Sequence, residues 1–339
     1  MGLYAKVGRA SAVVLLVALP AGLQAAAPAR PVLDQALVER WMGTLSNWGR
    51  WGKDDELGTL NLITQAKRRS AMALARKGIV VSMERTVVLT APEPDEAKGV
   101  PTGHGFYSIH FRTFDASDPR HNGGFSSDVQ SYAPHGVGTH VDALCHDSDG
   151  HGRLYNGRDL KQTVKPDTGC AKTGITVWKQ GVVTRGVLVD ITRLKGYARP
   201  PGSPVLVEDI EAWERQTGLK ISAGDALFAY NPGPVRNGRP SSGGFDLTVL
   251  PLMKARGVAI TGGFAQTPGS PLGGQVPGMM SADHRLALAA MGMPLLDGAD
   301  LGPVAEAAAK EGRWEFLLTI APVAVPGATG QMVNPLAMF

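Results

Sequence analysis

Apolar positions recur along this chain in two rhythms. In PVLDQALVERWMGTL (31–45) they fall at roughly helical spacing, which predicts an amphipathic first helix. VEDIEAWERQTG (207–218) predicts another, with acidic residues in its first turn and Gly218 as its stop. TVLPLMKARG (248–257) predicts a third, weakened internally by Pro251. Elsewhere the apolar residues form short runs bounded by turn residues, the pattern of buried strands: GVLVDI (186–191), DALFAY (225–230), VAIT (258–261) and FLLTIAPVAV (316–325), with a further strand over 80–91. Residues 46–64 are punctuated by glycine and dense in Trp, so they read as a structured loop. Residues 92–105 and 113–126, rich in Pro, Asp, Gly and Ser, read as looser ones. Strands alternating with helices, with no internal repeat and no low-complexity linker, predict one mixed α/β domain.

The first residues stand apart from that pattern. MGLYAKVGRA carries Lys6 and Arg9, an apolar run follows from Ala10 to Leu19, and small residues close it at Ala25-Ala26-Ala27. Basic, apolar and small is the order of a secretory signal, so residues 1–27 are expected to be a signal peptide and 28–339 the mature domain. An uncleaved interfacial anchor is the alternative. The run is shorter than the roughly 20 residues a spanning helix needs. The expected product is therefore a periplasmic or secreted protein with no membrane attachment once the signal is removed.

Composition narrows the field further. Of 339 residues 43% are hydrophobic, enough for a substantial core, and the net charge of +4 is thinly spread. Without a Lys/Arg block or basic–aromatic alternation, nucleic acid is a poor partner. G-x-S-x-G, HExxH, a Walker loop and a CxxC pair are all missing. The two cysteines, Cys145 and Cys170, could pair in an exported protein, but Cys145 reads better as a compact packing residue.

One stretch carries chemistry: HGVGTHVDALCH (135–146). His140 and Asp142 stand two apart, so on an extended backbone an imidazole and a carboxylate leave the same face, where one divalent ion can take both. His135 would point the other way in a regular strand, but Gly136 and Gly138 could bend the chain and return it. His146 lies four beyond Asp142, one turn away if a helix begins there. Histidine and carboxylate ligands together suit Zn²⁺ or Mn²⁺. A bound ion would lower the pKa of water from about 15.7 toward 7. The other histidines, His104, His110, His121 and His151, read as surface or satisfied core residues.

GTHVDALCH resembles the signature of the metal-dependent cyclase family, which includes bacterial kynurenine formamidase and isatin hydrolase. NWGRWGKDDELGTLNLIT (47–64), DGHGRLYNGR (149–158), TRGVLVDI (184–191), GDALFAYNPG (224–233), HRLALAAMGMPLLD (284–297) and FLLTIAPVAVPGATGQMVNPLAM (316–338) resemble further family blocks in the family's order. The resemblance implies a swivelling β/β/α fold of the longer subgroup. It implies His140 and Asp142 as metal ligands and His146 as the catalytic acid/base, or as a ligand to a second ion. It also implies that His284 and Asp297 sit where the family has a histidine and a glutamate of a second metal or supporting shell. Two departures stand out. The family's first metal histidine falls on Gly136 here, with His135 one position off. Asp297 is one methylene shorter than glutamate, about 1.5 Å. Both favour a single ion, with His135 as its third protein ligand.

The resulting expectation is a hydrolase that opens a C–N bond of a small cyclic or aryl amide, a lactam or formamide, by metal-activated water. Trp48 and Trp51 are candidates for an aromatic wall around a planar substrate, with plain core packing or an inter-subunit contact as the alternative. By resemblance the protein is a homo-oligomer, a dimer or tetramer. The rival expectation is a non-catalytic exported protein that binds metal or a small ligand on the same fold, motivated by the two departures.

Overall fold

The computed structural model describes residues 1–2, 30–87, 89, 106–114, 125–196, 199–236, 239–240, 243–265 and 275–339. The signal-like segment, apart from Met1 and Gly2, lies outside them, as do 92–105, most of 113–126, His104 and His121. Among the described residues no helix is long and apolar enough to cross a membrane. Val32–Phe339 clusters as one unit.

Nine strands build its sheet: β1 Val80–Ser82, β2 His140–Asp142, β3 Val182–Asp190, β4 Ala226–Tyr230, β5 Ile260–Thr261, β6 Leu295–Asp297, β7 Glu315–Ile320, β8 Gly330–Met332 and β9 Leu336–Met338. Their order across the sheet is β1-β9-β7-β3-β4-β5-β6-β2-β8. The centre, β3 through β6, is parallel. Both flanks are antiparallel, β7, β9 and β1 on one side and β2 and β8 on the other. Alternate residues of the central strands enter two separate cores. Val187, Val189, Leu227 and Ala229 join one, while Leu188, Ala226 and Phe228 join the other. Burial on both faces is why β3 and β4 read as continuous apolar runs rather than as alternation.

The three helices expected from the sequence pattern all form, one of them with an instructive difference, whereas Gln65–Met72 and Gly302–Glu311 are helices the pattern did not give. Gln35–Thr44 is capped by Asp34, whose carboxylate accepts the Leu37 N–H at 2.7 Å. Val207–Thr217 starts with Asp209 accepting the Leu206 N–H at 2.8 Å and ends at Gly218, φ 72°. Leu250–Arg256 departs from expectation: Pro251 lies in its first turn, not its interior. There the missing N–H has no intrahelical partner to lose, so the proline favours the helix start.

Other elements departed from the pattern as well. The strand expected over 80–91 stops at Ser82, and that over 316–325 stops at Ile320, before Ala321-Pro322. The loop expected over 113–126 is flanked by Tyr107–Phe114 and Phe125–Tyr132, a two-stranded antiparallel ribbon outside the main sheet. Cys145 and Cys170 form a disulfide, with Cα atoms 6.4 Å apart, so Cys145 is not merely a packing residue. Its pairing joins the turn after β2 to the short strand Gly169–Cys170.

Candidate metal centre

The two neighbours of β2 set the geometry. β6 runs antiparallel to it with Asp297 opposite His140 and Leu295 opposite Asp142. On its other side β8 places Met332 opposite His140 and Gly330 opposite Asp142. Directly paired residues share a face with Cβ atoms about 5 Å apart, so Asp297 arrives beside His140 by register alone. His140 and Asp142 leave that face together, as their spacing predicts. Asp142 is fully buried.

His135 comes back to them through a turn. Gly136, φ 88°, takes the left-handed conformation that turns the chain ahead of β2. His135 Nδ1 ends 2.9 Å from Asp142 Oδ1, and its Nε2 lies 3.1 Å from Thr329 Oγ1. His140 Nε2 is 3.5 Å from the same Asp142 oxygen, while its Nδ1 donates to the Gly138 carbonyl at 2.9 Å. That bond puts the proton on Nδ1 and leaves Nε2 with its lone pair toward Asp142, the orientation a ligand histidine needs. His146 follows a single turn, closed by its N–H on the Ala143 carbonyl at 2.9 Å, rather than a helix. Its ring stacks on His135 at 3.8 Å between centroids.

His284 enters from the opposite side. It closes the short helix Ala282–His284 after Ser281, a non-glycine residue at φ 53°, and opens into the π-helical segment Arg285–Met291. Such strained or irregular backbone gathers at functional sites. His284 Nε2 lies 3.4 Å from Asp142 Oδ2 and 3.5 Å from Asp297 Oδ2, and its Nδ1 faces Asp283 at 3.2 Å.

These contacts are close, yet the central ones are not hydrogen bonds. His135 Nδ1 and both Asp142 oxygens are buried without a partner in hydrogen-bonding geometry, although 2.9 Å separates the nearest pair. Lone pairs converging off-line on a common space are what a cation-binding site presents, and a buried unsatisfied group is otherwise costly. Two sets of ligand atoms lie within 4.8 Å of one another: His135, Asp142 and His146, and His140, Asp142 and Asp297. The residues present therefore fit a divalent ion.

Electrostatics follow from the same crowding. Burial alone would raise the Asp142 carboxyl, but the adjoining imidazoles of His135, His284, His146 and His140 outweigh it and hold it well below the usual range. Burial and the neighbouring imidazoles His135, His284 and His140 push His146 down to about 4, against the pull of Asp142, so its ring is neutral at neutral pH. His284 is raised despite burial, because the carboxylates of Asp142, Asp283 and Asp297 surround it.

The sequence reading named all six of these imidazoles and carboxylates, and the fold brings them together. It missed Asp283, Thr329 and Gly330, which orient them; the only trace was their place within or beside the quoted blocks. The two tryptophans do not join the cluster. Trp48 donates its indole N–H to the Ala289 carbonyl at 2.7 Å and packs against the apolar core with its ring over Gly157, which assigns it to packing. Trp51 lies under the Arg50 guanidinium at 4.7 Å.

Fold and site together define an α/β protein that carries a buried imidazole–carboxylate cradle on one edge region of a mixed sheet. Residues 69–234 match the family model Cyclase, described as "Putative cyclase". Over that stretch the chain is similar to the cyclase family. Among solved structures it is similar to one described as a novel cyclase, 27% identical, covering 87% of this chain and all of that one (100%), with a TM-score of 0.69. It is similar in fold to an isatin hydrolase bound to the product analogue thioisatinate, at 18% identity, 81% and 98% coverage and a TM-score of 0.50. No curated protein matches the chain at a significant level.

Proposed function

We propose that the protein is a metal-dependent hydrolase that opens a C–N bond of a small cyclic or aryl amide. The observation that carries the reading is the pair of buried Asp142 oxygens, ringed by imidazoles yet without a hydrogen-bond partner. His135, His140 and Asp142 would hold a Zn²⁺ or Mn²⁺ ion, with Asp297 and His284 completing the cradle. Such an ion supplies positive charge that acidifies water and polarises a carbonyl. Asp142, kept ionised by its neighbours, provides the countercharge that holds it. His146, neutral and half-buried, accepts the proton that attacking water gives up and returns it to the departing nitrogen. No side-chain nucleophile is needed, in keeping with the lack of a serine or cysteine motif.

A second reading of His146 has an observation of its own. Its ring nitrogen falls within the ligand set of His135 and Asp142, so it suits a ligand to one of two ions that share Asp142. Metal content separates the two. His140→Ala is expected to lose bound Zn²⁺ or Mn²⁺ and all turnover, whereas His146→Ala keeps the metal and loses about 100-fold or more in kcat. Loss of metal in both variants makes His146 a ligand. Stoichiometric metal with no turnover on a panel of aryl formamides, lactams and lactones makes the protein a binder.

The disulfide supports export to an oxidising compartment, the periplasm or beyond, because such bonds are rare in proteins kept in reducing ones. A homo-oligomer belongs to the same reading.

A further inference from the structure

We infer that the substrate carries a carboxylate of its own, apart from the bond to be cleaved, and that Arg85 binds it; this rests on the hydrolase reading above. A cavity of about 240 Å³ opens beside the histidine cluster, bordered at the cluster by Asp297 and Asp283. Its floor and walls are glycine backbone and the apolar side chains Phe228, Phe264 and Leu296. The volume lies just under the range of drug-sized pockets, about 300–1,000 Å³, and suits a molecule of one or two rings.

Among the described residues Arg85 is the one cation lining this cavity, and it also lines a smaller adjoining one with Tyr230, Asn231 and Asp300. It is half-buried, and among the described residues no carboxylate pairs with its guanidinium. Two other half-buried arginines show the carboxylate pairing that Arg85 lacks: Arg185 with Asp225 and Glu315, and Arg256 with Glu214. The Arg85 backbone is fixed as well. Its N–H donates to Thr139 Oγ1 at 2.9 Å, one residue before His140, so the arginine is tied to the strand that carries the cluster.

Charge orients the ligand. Asp283 and Asp297 repel an anion at the cluster end, while Arg85 attracts one elsewhere on the wall, and a planar guanidinium takes a carboxylate through two parallel bonds. A small aryl amide with a ring carboxylate would place its carboxylate on Arg85 and its neutral amide toward Asp142. Arg85 would thus be the specificity residue.

The test is calorimetric binding of benzoate and of 2-aminobenzoate, with neutral benzamide as control, to the metal-loaded protein and to Arg85→Gln and Arg85→Lys. The expected result is that both carboxylates bind more tightly than benzamide, and that Arg85→Gln weakens them about ten-fold or more, roughly 1.4 kcal/mol. Arg85→Lys should recover part of the loss, benzamide should not respond, and metal content and thermal midpoint should stay at the wild-type values. Equal affinity for benzoate and benzamide, no carboxylate binding at millimolar concentration, or an unchanged Kd in Arg85→Gln overturns the inference. Because binding needs no turnover, the two readings fail separately. A protein that binds carboxylates through Arg85 yet hydrolyses nothing refutes the hydrolase reading alone. One that hydrolyses neutral aryl amides with the same KM in wild type and Arg85→Gln refutes this inference alone.

Discussion

Gly330→Ala would test the cradle through a residue that is not itself a ligand. Gly330 lies on β8 directly opposite Asp142, and a Cβ built there would stand 2.6 Å from the Val141 carbonyl oxygen and 2.7 Å from His135 Cε1. Ordinary carbon contacts begin near 3.5 Å, so the ring or the strand must give way by roughly 0.8 Å. The Val141 oxygen is backbone within the sheet, which leaves the His135 ring as the softer neighbour. Metal–ligand distances tolerate about 0.2 Å, so such a shift removes His135 from coordination. The expected loss of Zn²⁺ or Mn²⁺ affinity is at least ten-fold and up to about 100-fold, as when a supporting group is removed from a metal site. Overpacking should also lower stability by about 1–3 kcal/mol. Metal titration by calorimetry, with circular dichroism to confirm the fold, measures both. If Gly330→Ala folds and binds metal within about two-fold of wild type, His135 is not a ligand, and the reasoning from its 2.9 Å approach to Asp142 is wrong.

Other outcomes follow from the same structure. Replacing both Cys145 and Cys170 by Ser opens a crosslink spanning 25 positions, which chain entropy values at about 3.5 kcal/mol, or roughly 5 °C in the thermal midpoint; a shift under about 1 °C would mean that the bond does little for the folded state. Because the disulfide ends one residue before His146, the double variant should lose kcat more than metal. The neutral form of His146 is the one that accepts a proton, and burial lowers its pKa to about 4. The acid limb of kcat/KM should therefore fall near pH 4 rather than near the ordinary imidazole value of about 6.5, with metal content followed at each pH; a limb at the ordinary value with metal retained would exclude His146 as the base.

How much of this was legible in the sequence depends on the range of each signal. His140 and Asp142 were readable because a period of two is a property of the strand itself. The helix at 207–217 was readable because its acidic first turn and its terminal glycine are local. Pro251 misled because proline in an apolar run says nothing about where the helix begins; only the short helical turn Leu247–Val249 ahead of it settles that. The ribbon strands 107–114 and 125–132 went unread because a pair that stands away from the core has no buried face to impose a pattern. Among its side chains, Phe111 is 73% exposed. The disulfide was hidden because a separation of 25 encodes no geometry. Asp283 and Thr329 were hidden because what makes them matter is the approach of separate segments, which no spacing records.

The two departures from the family pattern are both answered by backbone. His135 sits one position from where the family places its first histidine, and Gly136 supplies the left-handed turn that carries it to 2.9 Å from Asp142. Asp297 is a methylene short, and the β6–β2 register sets its Cα directly opposite His140, inside the ligand set with Asp142. These departures were the motive for a binder without activity. With both groups delivered to the cluster, the two oxygens of Asp142 face different partners: Oδ1 meets His135 and His140, and Oδ2 meets His284. One carboxylate flanked on both sides by imidazoles is suited to share itself between two cations. The shorter Asp297 therefore does not by itself fix the number of ions, and metal stoichiometry in Asp297→Ala against wild type decides between one ion and two.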